Sequence, residues 1–94
     1  MRVRWLHEGL EMIPLSEDVR RRVEEWVSRL RPEELEKLRE YEKTGDALVC
    51  PLVDPYAEGG LVVKLVRRGG RYMITAGIYE GGLVEEYYVG EVLP

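Results

Sequence analysis

Two glycine pairs govern what the C-terminal half of this chain can become. In the stretch VRRGGRYMITAGIYEGGLVEEYYVG, residues 66–90, Gly69-Gly70 and Gly81-Gly82 each separate runs that read as strands. A two-residue hairpin loop of type I′ needs positive φ at both central positions, and glycine adopts it without a Cβ clash. The stretch therefore predicts a three-stranded meander over 61–68, 71–80 and 83–90, with Arg68 opposite Arg71 and Glu80 opposite Leu83. Side chains directly opposite share a face. One face then collects Leu61, Val63, Leu65, Ile74, Ala76, Ile78, Tyr87 and Val89, a coherent core surface. The other collects Val62, Lys64, Val66, Arg68, Arg71, Met73, Thr75, Tyr79, Val84, Glu86 and Tyr88, and is mixed. A one-residue slip would scramble the first set, so the pattern itself specifies the pairing.

The N-terminal half supplies what covers the apolar face. Residues 2–6, RVRWL, alternate and read as a short strand with Val3 and Trp5 on one side. HEGLEMIPL reads as a connector punctuated by Gly9 and Pro14. Ser16 is placed as an N-cap with Glu17 and Asp18 in the first turn. Val19, Val23, Trp26, Val27 and Leu30 then fall on one helical stripe, ending a first helix near Leu30. Pro32 suits the first position of a second helix, Leu35, Leu38 and Tyr41 give its narrower stripe, and Gly45 is its C-terminal cap. ALVCPLVD, residues 47–54, reads as an edge or bulged strand, because Pro51 cannot donate to a ladder. The fold class is α+β: a helical hairpin packed on one face of an antiparallel sheet, in the order β-α-α-β-β-β-β.

At 94 residues the chain is expected to form a single domain, residues 1–94. No apolar run approaches a membrane span, and the N-terminus lacks the apolar core of a signal peptide, so the cytoplasm is the expected compartment. The lone Cys50 has no internal disulfide partner. The chain holds 15 Glu, 11 Arg and no Asn, Gln or Phe, a composition resembling that of thermophile proteins. Its net charge of −4 is spread over both halves, which excludes whole-protein attraction to nucleic acid.

Chemistry-bearing residues are few. His7 is the only histidine, and its place at a strand end reads as surface. Cys50 with His7 is the one conceivable nucleophile–base pair, but a cysteine within LVCPLV reads as a small buried hydrophobe. Nothing has zinc spacing, and neither glycine pair belongs to a phosphate loop. No metal or cofactor is expected. Arg20, Arg21 and Arg22 spread around the first helix, near enough to Glu24 and Glu25 to pair with them.

The mixed sheet face is therefore the candidate site. Lys64, Thr75 and Tyr88 line up across the three strands, with Tyr79 nearby and Arg68 facing Arg71 beside the first turn. Lys64, Arg68, Arg71, Met73, Tyr79 and Tyr88 are its candidate binding residues. Glu86 is placed to neutralise Lys64. Val62, Val66, Met73 and Val84 are many apolar residues for a wetted surface and suit a protein contact or self-association.

The element order, together with GLVVKLVRRGGRYMITAGIY, resembles the RelE/ParE toxin superfamily, in which a strand ending in basic residues leads through a hairpin to an Arg-Tyr-bearing strand. The resemblance implies RNA cleavage on the exposed sheet, with Lys64, Arg68, Arg71 and Tyr88 at the matching positions, in a toxin–antitoxin setting. Here Glu85, Glu86 and Glu91 stand in the last strand where that family tends to carry cations. The leading expectation is a non-enzymatic interaction module that self-associates or binds a protein partner. RNA-directed nuclease activity ranks second.

Overall fold

The first glycine pair turns the chain as its sequence requires. In the computed structural model, which describes residues Met1–Pro94, Gly69 and Gly70 have φ of 57° and 75°. They join β3 (Leu61–Arg68) to β4 (Arg71–Tyr79) in the predicted register from end to end. The hairpin from β4 into β5 (Leu83–Leu93) departs from it. Tyr79 pairs with Leu83, so the loop is Glu80–Gly82, closed by the Glu80 N–H donating to the Gly82 carbonyl at 2.9 Å. Val84 is then supernumerary, and the predicted pairing resumes with Thr75–Ile78 opposite Glu85–Tyr88.

A second bulge places both Val89 and Gly90 against Ile74. An extra residue on one strand leaves the ladder locally unpaired and shifts everything beyond it by one place. Without this bulge Glu91 would oppose Tyr72 on the core side. With it, Glu91 opposes Met73 on the other face, and Val92 enters the core at 5% exposure.

The rest of the sheet forms at its margins. β1 (Arg2–Trp5) runs antiparallel to the end of β5, with Val3 opposite Val92 and Arg4 opposite Glu91. The strand expected over 47–54 shrinks to β2, Leu48–Val49, paired with β3. Cys50 still donates to the Val63 carbonyl at 2.8 Å, but Pro51 has no N–H to continue, and the chain turns inward to bury Val53. The sheet order is β1-β5-β4-β3-β2, antiparallel throughout.

Two helices cover one face. Ser16 caps α2 (Glu17–Ser28) by accepting from the Val19 N–H at 3.1 Å. Its stripe of Val19, Val23, Trp26 and Val27 is buried. Pro32 opens α3 (Pro32–Thr44), which buries Leu38 and ends at Gly45 with φ of 80°. α2 rests against β1 and α3 against β3, so the pair spans the sheet. Val23, Val27 and Leu38 meet Val63, Leu65, Ile74, Ala76 and Val89 in a core cluster of 16 buried residues.

The connector expected over HEGLEMIPL is partly a helix, α1 (His7–Met12). It has no side-chain cap and carries Gly9 in its interior, so local propensity does not announce it. Tertiary contact forms it. Ile13 is buried in the core and Leu10 packs against it, while Leu6 donates to the Val89 carbonyl at 2.9 Å. α1 lies along β5 where β1 has stopped, shielding an edge that would otherwise present bare backbone. No helix is long and apolar enough to cross a membrane.

The arginine run is not paired with Glu24 and Glu25. Arg21 and Arg22 reach back one turn to Asp18. Arg22 also donates to the Leu52 carbonyl and to Glu58, each at 3.1 Å, tying α2 to the segment before β3. Glu24 instead accepts from the Trp5 indole at 3.2 Å.

Candidate functional site

The face that α2 and α3 leave uncovered carries the candidate residues, set by strand alternation. Lys64, Thr75 and Tyr88 form one row across β3, β4 and β5. Arg68 and Arg71 face each other at the Gly69-Gly70 end. The row and the arginine pair thus sit four residues apart along β3 and do not converge on one point.

Most of the charge there is already engaged. Lys64 Nζ donates to the Tyr79 hydroxyl at 2.7 Å and to Glu86 Oε2 at 3.2 Å. The hydroxyl contact is the larger influence holding the lysine above its ordinary pKa, and the carboxylate adds to it. Arg71 grips Glu91 through Nε and Nη2, both at 2.7 Å, and Arg4 adds a third bond at 2.6 Å. The hydrogen bond from Arg71, followed by that from Arg4, pulls the Glu91 carboxyl down to about 2. Arg68 pairs with no carboxylate and donates to the neighbouring Arg67 carbonyl at 2.8 Å. Arg4 and Glu91 escape a reading by simple alternation, because the bulge at Val89 is what brings Glu91 to this face.

The Glu91 cluster makes a testable prediction. Its pairing stabilises the fold fully above the ordinary carboxyl value of 4.5, and that contribution is lost as pH falls through about 2. Glu91→Gln should therefore melt below wild type at neutral pH, with the gap closing as pH drops across this window. A gap independent of pH would remove the ionic account.

The apolar content of the face also differs from expectation. Val66, opposite Met73 and flanked along β3 by Lys64 and Arg68, is only 3% exposed. Val62 and Met73 are half-buried. Thr75, at the middle of the central strand, is buried with its hydroxyl unpartnered. No broad aliphatic patch crosses the face. The large apolar side chains that do reach solvent on this side lie mainly along β5: Leu83, Val84 and Tyr88, at 51%, 61% and 47% exposure. Met12 of α1, at 56%, lies with Tyr88 in the lining of a cleft of about 640 Å³ between α1 and β5. Trp5, Leu6, Glu8 and Tyr87 also line it. This cleft follows from α1, whose only sequence signal is the apolar spacing of Leu6, Leu10 and Ile13.

The nucleophile–base pairing of Cys50 with His7 is not formed. Cys50 follows β2 and His7 follows β1, at opposite margins of the sheet. Burial pushes the Cys50 thiol up, and the side chain is 1% exposed. His7 is exposed and contacts Glu11 at 2.7 Å. No group of three or more His, Cys, Asp or Glu side chains is arranged to hold a metal ion. Comparison of this chain with protein-family models, curated proteins and solved structures returns no match.

Proposed function

We propose that this protein is a non-enzymatic interaction module of the cytoplasm that binds a protein partner, a second copy included, through the β5 side of its uncovered sheet face. One observation carries the reading: Leu83, Val84 and Tyr88 stand exposed along a single strand, with Met12 across the adjoining cleft. Exposed aromatic and methionine side chains are the types enriched at protein contacts. Val84→Glu places a charge in that contact and leaves the core untouched. Sedimentation velocity should show a concentration-dependent species larger than a monomer that Val84→Glu disperses. For a different partner, a photo-crosslinking residue at position 84 should give a discrete adduct that one at position 36, on α3, does not. A monomer at high concentration, together with equal labelling from both positions, would overturn the proposal.

A second reading, RNA binding of the RelE-like kind, draws support from the opposite end of the same face. There Arg2, Arg4, Arg68 and Arg71 gather around Glu91 as the single carboxylate. So few cations would give weak, shallowly salt-dependent binding. Tight RNA binding that falls steeply with salt and disappears in Arg68→Ala and Arg71→Ala would put this reading first.

A further inference from the structure

The cleft between α1 and β5 has walls of one chemistry and a charge of one sign. Trp5, Tyr87 and Tyr88 supply aromatic surface, and Leu6 and Met12 supply apolar surface. Gly9 forms part of its lining because a Cβ there would come within 1.8 Å of the Tyr88 carbonyl oxygen. The cation in the lining, Arg4, is held by Glu91 at 2.6 Å. His7 is turned to Glu11 at 2.7 Å. Glu8 lines the same cleft and makes no ion pair. Glu80 and Glu85, further along β5 and its turn, have no cationic partner either. An anionic ligand would meet a free carboxylate and no free cation. Aromatic faces attract cations through their quadrupole, and an adjacent carboxylate reinforces that attraction.

We propose that this cleft receives a basic side chain, lysine or arginine, projecting from the protein partner. The inference rests on the interaction-module reading and names the chemistry of what that module recognises. The partner segment carries its cation against Tyr88 and Glu8, with apolar neighbours packing on Met12 and on Leu83 and Val84 further along β5. Two copies of this chain meeting at β5 would bring Glu85 and Glu86 toward their own counterparts, and opposed like charges are destabilising. A different, basic partner is therefore favoured over self-pairing at this strand.

The test is a ¹H–¹⁵N NMR titration with N-acetyl-arginine amide and N-acetyl-lysine amide as probes, and with the leucine and glutamate amides as controls. The basic probes should shift the amides of Leu6–Met12 and Tyr87–Val89 selectively. Glu8→Gln, and Tyr88→Leu, which keeps an apolar wall but removes the π face, should each weaken binding about threefold to fivefold. Both positions are exposed, and an unchanged melting curve for each variant separates binding from folding. Equal shifts from the leucine amide, saturation by the glutamate amide, or undiminished arginine binding in both variants would overturn the inference. Adducts from position 84 without arginine binding would remove the cleft assignment and leave the module reading standing. Arginine binding without adducts would do the reverse.

Discussion

Truncating Trp26 to alanine should destabilise this protein by about 3–5 kcal/mol. Trp26 is the largest side chain of the α2 stripe and is 8% exposed, between Val23 and Val27, both fully buried. Removing the indole leaves a void that neighbours fixed in α2 and the sheet fill poorly. For a domain of this size each kcal/mol lowers Tm by roughly 4–8 °C. A thermal melt should therefore fall by at least about 12 °C. A shift of a few degrees would mean that α2 does not press Trp26 into the core. Wild-type tryptophan emission offers a companion check, because Trp5 is only half-buried and the two indoles should differ in quenching by iodide.

Gly9→Ala is the second large effect, and its sign is opposite to what helix propensity alone gives. In a solvated helix the change would stabilise by up to about 1 kcal/mol. Here the added Cβ meets the Tyr88 carbonyl oxygen at 1.8 Å and its carbon at 2.8 Å. Those atoms belong to a paired strand and have no rotamer by which to retreat. α1 must lift from β5, strip Leu10 and Ile13 of part of their packing, and open the Leu6–Val89 hydrogen bond. Overpacking of this kind costs about 1–3 kcal/mol. Urea denaturation should show a lower midpoint for Gly9→Ala. A raised midpoint would show that α1 is only loosely docked.

Much of this arrangement is legible in the chain because local and global signals agree there. Ser16, Pro32 and Gly45 mark helix ends through backbone needs that tertiary packing does not alter. Gly69-Gly70 fixes one hairpin because no other pair of residues meets its φ values as cheaply. The core face of β3 and β4 follows from strict alternation. Legibility fails where contacts distant in sequence decide. α1 has six residues, a central glycine and no cap, so only its docking on β5 makes it a helix. The shortening of 47–54 to β2 depends on how Val53 finds the core after Pro51. Arg22 chooses Asp18 and Glu58 over nearer glutamates because the segment before β3 folds back over α2. Of the candidate residues, Lys64, Tyr79 and Tyr88 could be placed on one face from the sequence. Their intramolecular partners were legible only for Glu86, and the cleft beside Tyr88 was not legible at all.

The bulge at Val89 acts on β5 as a frameshift acts on a message. Up to Tyr88 the strand is read in one phase, with odd positions turned inward; beyond Val89 the phase is reversed. The same letters would therefore display a different surface if the strand were one residue shorter at this point. Glu91 would be directed into the hydrocarbon interior, its two arginines would lose their common anchor, and Val92 would be left in water. Relatives of this protein that carry a one-residue length difference within β5 should thus be aligned by phase, not by position. In them, the residue type in the place of Glu91 reports which phase is in use: a carboxylate where the extra residue is kept, and an aliphatic where it is lost.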